Sequence, residues 1–453
     1  MGISNMINFY IKNIFADLKI KMLLCFFVFP FFLKAQNNAD SILANATLEN
    51  VVHYALVHQP LIQQSLLDEK ITESEIKSKL ADWYPQVNFG YSYQHNFLLQ
   101  TAVFAGNTVK LGVNNTSAFQ FTATQNIFNR DVLLATRSKD DVRLQVKQIT
   151  TENKIDVAAS VSKAFYDLLA TMQQIKVADE TIARLERSLK DAYAHYTAGI
   201  ADKTDYKRAT IALNNAKASK MGFVENIKAK KEYLETLMGY PSQSDITIVY
   251  DSLQMEREVT ADTIAVVDYT KRIEFQLLST QKKLQQANLQ YNKWSYLPTV
   301  SAYGAYNFNF QNDALTKLYS KNFPNSYAGL TIAVPIFQGG KRKYNIQQQQ
   351  FQLQRIDLDI LNLEHNINDQ YVQAMALYKS YLANFNALKE NVTLAQEVYD
   401  VLNLQYKAGI KTYLEVISAE TDLNTAKINY YNALYQLLSA KIDLQKALGQ
   451  INY

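Results

Sequence analysis

Cysteine is almost missing from this chain of 453 residues; Cys25 is the only one. One thiol excludes a disulfide framework and any cysteine-rich metal centre. Turn formers are scarce as well, with 13 Gly and 7 Pro, well under ordinary usage. That argues against a many-turned all-β architecture and for long uninterrupted helices. An excess of one charge is also lacking: 46 Lys and Arg stand against 42 Asp and Glu, a net charge of +4. Neither a nucleic-acid-binding arm nor a funnel for acidic substrates follows from that balance. The five His (53, 58, 95, 195 and 365) lack metal-ligand spacing. No nucleophile elbow, phosphate loop or catalytic carboxylate pair is found. Neither a cofactor nor an enzymatic reaction is therefore expected. Gln347 to Gln350 reads as a wetted helix face.

The first stretch reads as a targeting segment. Lys19 and Lys21 precede the apolar run Met22 to Leu33, and Lys34-Ala35-Gln36 offers a small residue for cleavage. This is a secretory signal, expected over residues 1–35. The run is shorter than the roughly twenty residues a spanning helix needs. Met22 is an alternative start, and Cys25 follows Leu24, which makes it a poor lipid-attachment site. The mature chain is exported, and no later run is apolar enough to span a membrane as a helix.

The rest of the chain is written twice. Trp83-Tyr84-Pro85-Gln86-Val87 matches Tyr296-Leu297-Pro298-Thr299-Val300 at a shift of 213 residues. Tyr196-Thr197-Ala198-Gly199-Ile200 matches Tyr406-Lys407-Ala408-Gly409-Ile410 at a shift of 210, as Leu237-Met238-Gly239 does Ala447-Leu448-Gly449. Repeats must be read before domains. Each copy is expected to run helix, strand, loop, strand, very long helix, tight turn, long helix. The first covers 36–240, the second 263–453, and the segment 241–262 links them.

Two periodicities divide each copy. From Ile356 through Ile360, Leu363, Ile367 and Tyr371 to Tyr399, Leu402 and Tyr406, apolar residues recur three and four apart, with one slip. This is the seam of a left-handed coiled coil. Val157, Val161, Ala164, Leu168 and their successors to Tyr196 repeat it in phase. The return helix, Val416 to Ala447, alternates large residues with Ala, as close antiparallel packing favours. Helices of about 65 residues rise roughly 100 Å. Between the helices the period is two. Val87, Phe89, Tyr91, Tyr93, His95 and Phe97 alternate with Asn88, Ser92, Gln94 and Asn96. Phe119, Phe121 and Ala123 alternate with polar residues, as do Val300, Ala302, Tyr306, Phe308 and Phe310; Leu330, Ile332 and Val334 complete a fourth strand. Aromatic-rich alternation of this length is the pattern of transmembrane β-barrel strands. The loops at 98–115 and 311–325 would face the exterior. Four strands cannot close a barrel, and open edges are not tolerated in lipid, so copies must share one.

This layout resembles the TolC-type outer-membrane channels of bacterial efflux and secretion systems, from about Leu48 to Gly449. Val334-Pro335-Ile336-Phe337-Gln338-Gly339-Gly340-Lys341-Arg342 matches that family's strand-to-helix junction, with Pro335, Phe337, Gly339 and Gly340 as its marks. Asn126-Ile127-Phe128-Asn129-Arg130 keeps only the Ile-Phe core. Tyr406 to Val416 matches the family's hairpin turn, and Tyr196 to Asp205 repeats it. The resemblance implies a mixed α/β membrane protein, internally duplicated. Its four transmembrane strands would complete a trimeric twelve-stranded barrel in the outer membrane, above a periplasmic α-barrel of antiparallel coiled coils. It implies a homotrimer in the lipid bilayer, partnered by a periplasmic adaptor and an inner-membrane pump, and passive conduction. The hairpin tips, Gly199, Ile200, Gly409 and Ile410, would receive the adaptor. Glu415 matches a carboxylate ring at the constriction, with Ser418 in place of a second carboxylate. Asp205, Lys411 and Tyr406 match a latch that holds the tunnel closed. Two other readings stand beside efflux: the exit duct of a type I protein secretion system, and a periplasmic coiled-coil adaptor without a barrel.

Overall fold

The computed structural model describes residues 46–241, 246–249, 252–261 and 267–451. The expected signal, 1–35, lies outside them. Helix α1 (Leu48–His58) is capped by the Thr47 hydroxyl, which accepts a bond from the Asn50 amide. Helix α2 (Pro60–Ala81) begins on the Gln59 side chain, with Pro60 at its first position. Then come strands β1 (Gln86–His95), β2 (Gln100–Phe104), β3 (Asn107–Leu111) and β4 (Asn115–Phe128). Two helices, α3 (Arg130–Thr197) and α4 (Lys203–Met238), close the first copy. After the short α5 (Ser252–Arg257), the second copy follows with α6 (Ile273–Lys293), β5 (Thr299–Asn312), β6 (Asn325–Ala333), α7 (Lys341–Lys407) and α8 (Tyr413–Ala447). No helix among the described residues is long and apolar enough to cross a membrane.

Four strands form one antiparallel sheet in the order β1-β4-β5-β6. Its register separates most side chains by face, because cross-strand partners share a face; Tyr303 and Tyr327 are the aromatic exceptions on the polar side. Phe89, Phe121 and Tyr306 lie in one row and Tyr91, Phe119 and Phe308 in the next, all on one face. Asn88 and Thr122, and Gly90, Gln120 and Asn307, form rows on the other. The alternation read from sequence therefore holds, although Phe97 and Val334 fall just past the strand ends. All four helix junctions lie at the same end of the sheet: Gln86 faces Thr124, Phe128 faces Val300, and Thr299 faces Ala333.

The stretch 98–115 is more than the loop expected. β2 and β3 pair as a hairpin turned by Ala105 (φ 48°) and Gly106 (φ 83°). Two successive positive φ angles match the twist of the strands they join, but Ala is an unusual carrier of that conformation, so the turn was not apparent in sequence. Within 311–325, Leu315–Ser320 winds a 3₁₀ turn that folds back on the aromatic face. Its Tyr319 hydroxyl lies 3.1 Å from that of Tyr91 and donates to Ser117 Oγ at 3.3 Å.

The second-copy seam is narrow. Ile356, Ile367, Ala374, Tyr378, Phe385 and Tyr399 are buried in α7, while most residues between them are exposed. The first copy departs from a single stripe. In the middle of α3, Phe165, Tyr166, Leu168, Leu169 and Ala170 are all buried. Helix α3 packs against α4, α8, α2, α6 and α1, whereas α7 packs chiefly against α8 and α6. One helix is walled on several sides and the other on a seam, which explains the unequal burial of equivalent sequences.

Candidate functional site

The turns that close the two hairpins are the same structure. Helix α3 ends at Thr197, and Gly199 takes φ 73°; its amide donates to Tyr196 O at 3.0 Å and the Ile200 amide to His195 O at 2.9 Å. In the second copy Gly409 takes φ 74°, its amide donates to Tyr406 O at 2.9 Å and the Ile410 amide to Gln405 O at 2.9 Å. These bonds satisfy the last helical carbonyls, and glycine supplies the left-handed residue they require. A Cβ at either position would meet nothing within 4 Å, so conformation, not space, demands glycine there. Ile200 and Ile410 stand out from the tips, 76% and 72% exposed. The hairpin bases end alike. Gly239 and Gly449 are left-handed caps, with the Tyr240 amide on Glu235 O and the Gln450 amide on Gln445 O.

After the second turn, Thr412 and Glu415 start α8 as a reciprocal cap. Glu415 Oε2 accepts from the Thr412 amide and hydroxyl, both at 3.0 Å. Lys411 Nζ donates to Glu415 Oε1 at 2.7 Å. The Lys411 bond first, and the Thr412 bonds after it, hold the Glu415 carboxyl below its ordinary value of 4.5. Lys411, just ahead of α8, thus pairs with a carboxylate in that helix's first turn, not with Asp205. The Asp205 carboxylate makes no hydrogen bond among the described residues, and the Tyr406 hydroxyl lies 3.3 Å from His195 Nδ1 instead. Asp205 and Tyr406 are nevertheless neighbours: burial raises the phenol's pKa, and the Asp205 charge raises it further. The three latch residues therefore do not form one hydrogen-bonded cluster within the chain.

Tyr413, inside the turn motif but not singled out from sequence, is what joins the tips. It is buried with Ala192 of α3 and Ala209 of α4, and Leu189, Tyr206, Tyr406 and Ile417 pack around them. Farther along, α3 and α8 are zipped by polar pairs. Arg184 Nε donates to Glu420 Oε1 at 2.9 Å, Thr181 Oγ1 to Asn424 Oδ1 at 3.2 Å, and Gln174 Nε2 to Asn432 Oδ1 at 2.7 Å. Each residue looks like an ordinary polar position in a helix, and only the antiparallel packing of α3 on α8 brings the partners together. Among the described residues no three of His, Cys, Asp and Glu converge as metal ligands.

At the strand-to-helix junction, Gly339 (φ 57°) and Gly340 (φ 81°) turn the chain into α7. Arg342 reaches back to Pro335 O and to Gln338 Oε1, and lies over the Tyr296 ring. Phe337 is almost fully exposed.

The sequence match falls on both copies. The family described as outer membrane efflux protein matches residues 51–240 and 274–450. The chain belongs to this family. It is 19% identical over 396 residues to Outer membrane protein TolC of Escherichia coli, spanning 84% of this chain and 76% of that one. It is 18% identical over 375 residues to the proteases secretion protein PrtF of Dickeya chrysanthemi, covering 81% and 80% of the two chains. Among solved structures it superposes on the transmembrane channel CusC with a TM-score of 0.71 at 16% identity, covering 90% of this chain and 93% of that one. The protein is an outer-membrane efflux channel, and the barrel-less adaptor reading is set aside by the family and the sheet together.

Proposed function

We propose that three copies share one twelve-stranded barrel and one helical tunnel, and that substrates pass through it from a periplasmic adaptor and an inner-membrane pump. One observation carries this reading: both helical hairpins spring from the same end of a sheet that is mostly apolar and aromatic on one face and mostly polar on the other. Such a sheet suits lipid outside and water inside. Two features of the single chain support assembly. β1 and β6 are sheet edges, and unpaired edges do not persist in lipid. Helix α7 also leaves Tyr344, Phe351 and Leu358, seven apart, exposed beside its buried seam, where a neighbouring copy would cover them.

The tips would then serve two roles. Ile200 and Ile410, with Gly199 and Gly409 holding the turn, would meet the adaptor. Glu415 would face the tunnel end, its charge tempered by Lys411, while Asp205, Tyr406 and Lys411 would hold the closed state. Planar-bilayer recording tests both parts. Asp205→Ala with Lys411→Ala should raise single-channel conductance, and unchanged conductance removes the latch. Glu415→Ala should lower cation preference, and unchanged selectivity removes the ring. The similarity to PrtF favours a second reading, an exit duct for a secreted protein. Complementation of an efflux-deficient against a secretion-deficient strain would separate the two.

A further inference from the structure

The two free edges of the sheet carry enough information to fix how one copy pairs with the next. In β1–β4 the register sets Gln86 opposite Thr124. Advancing β1 by 213 residues, the shift that maps Pro85 onto Pro298, turns Gln86 into Thr299. Advancing β4 by 209, the shift that maps Ile127-Phe128 onto Ile336-Phe337, turns Thr124 into Ala333. Thr299 opposite Ala333 is the register observed in β5–β6. The two copies are therefore register-equivalent, and a sheet that continued around a barrel would repeat the β4–β5 pairing between β6 and the next β1.

We infer that β6 of each copy pairs antiparallel with β1 of its neighbour, with Thr331 opposite Ser92, Ile332 opposite Tyr91 and Leu330 opposite Tyr93. This register follows from applying the same two shifts to the β4–β5 pairs Thr122–Ala305, Ala123–Gly304 and Phe121–Tyr306. It rests on the reading of a barrel shared between copies, and goes beyond it by naming the register.

Three independent features of the chain agree. The first is the faces. Ile332, Leu330, Tyr91 and Tyr93 belong to the aromatic face and Thr331 and Ser92 to the polar one. A slip of one residue would put aromatic residues opposite polar ones. The second is hydrogen-bond parity, because successive residues of a strand bond to alternate neighbours. Asn309 O accepts from the Phe323 amide at 2.7 Å in continuation of the β5–β6 register, so odd-numbered residues of β6 bond to β5. The even ones, Ala328, Leu330 and Ile332, present their amides and carbonyls to the free edge. The Asn96 amide donates to Asn114 O at 2.7 Å, so even-numbered residues of β1 bond to β4, and Tyr91 and Tyr93 face outward. The two outward sets are the sets the register places opposite each other. The third is the junction. Residues 125–128 remain strand although β1 has ended, because β5 pairs with them. Their equivalents, Val334 to Phe337, are irregular beyond the end of β5–β6 pairing. They would be drawn into the ladder by Val87 to Phe89 of the neighbour. Pro335 is odd-numbered, so its missing amide points away from that ladder and does not interrupt it.

Disulfide trapping in the full chain, with Cys25→Ala, tests the register. Thr331 and Ser92 form a pair without mutual hydrogen bonds, about 4.5 Å between Cα atoms, within disulfide reach. Oxidation of Ser92→Cys/Thr331→Cys in mild detergent should shift the chain from monomer to covalent trimer on a non-reducing SDS gel. Each single-cysteine variant should stay monomeric. So should Gly90→Cys/Thr331→Cys and Gln94→Cys/Thr331→Cys, whose partners stand about 7–8 Å apart. Leu330→Cys/Tyr93→Cys, on the other face, should crosslink as well and covers the loss of one variant to misfolding. Native mass spectrometry of unoxidised protein separates the two ideas. Trimers that crosslink through a shifted pair, or through none, overturn the register alone; monomers overturn the shared barrel beneath it.

Discussion

Replacing Arg184 by Met would remove the cation that faces a buried carboxylate between α3 and α8. Glu420's side chain is only 5% exposed, that of Arg184 is 21% exposed, and their Nε–Oε1 distance is 2.9 Å. Removing one partner of a buried pair costs about 3–5 kcal/mol, because the other charge stays buried without compensation. The lower end applies, since the guanidinium is partly exposed and water can take its place beside the carboxylate. Arg184→Met should therefore cost about 3 kcal/mol. Replacing both residues by Met should cost less than about 1 kcal/mol, since a buried ion pair exchanged for apolar side chains of similar volume is often neutral. Hydrogen exchange followed by mass spectrometry reads this locally, in peptides around 175–190 and 413–425. A loss of about 3 kcal/mol corresponds to roughly 100-fold faster exchange where opening is at equilibrium. The double variant should return most of that protection. Exchange within about threefold of the parent in Arg184→Met, or equal exchange in single and double variants, would show that the pair does not hold the hairpins together.

Burial first, and the Glu420 charge after it, push the Tyr399 phenol up to about 12. A raised folded-state value means that this contribution is complete below pH about 10 and is lost as pH climbs from there to about 12, roughly 2–3 kcal/mol in all. The stability of Tyr399→Phe, followed by circular dichroism across that window, should fall less steeply than the parent's. At Gly239 a Cβ would approach His58 O to 2.8 Å at φ 66°, while at Gly199 it would meet nothing at φ 73°. Gly239→Ala should therefore lower the melting temperature clearly more than Gly199→Ala, whose cost is the left-handed conformation alone, about 1–2 kcal/mol. On the sheet, Phe121→Arg should cost roughly 2–4 kcal/mol and Thr122→Arg much less; equal losses of assembled channel from the two would contradict the face assignment.

Much of this protein could be read without coordinates, because it is carried by local periodicity. Heptad spacing from Ile356 to Tyr406 marks the seam of α7, and period-two alternation around Phe89 and Phe121 marks two faces of a sheet. Repeated Tyr-x-Ala-Gly-Ile segments place both hairpin turns, since only a left-handed residue ends a helix that way. The duplication itself is a property of the string. Other features depend on which surfaces meet. That β4 joins β5, and so unites the copies in one sheet, follows from chain packing. Lys411 had two carboxylates within its family pattern, and the one nearer in the chain, in the first turn of α8, took it. Glu420 looks like a solvated residue in sequence and is buried against Arg184 only because α8 lies on α3. Tyr413 and His195 became tip residues for the same reason. Periodicity says which face of an element is buried, but a polar side chain's partner is set by distance in space, and that distance exists only once the helices are packed.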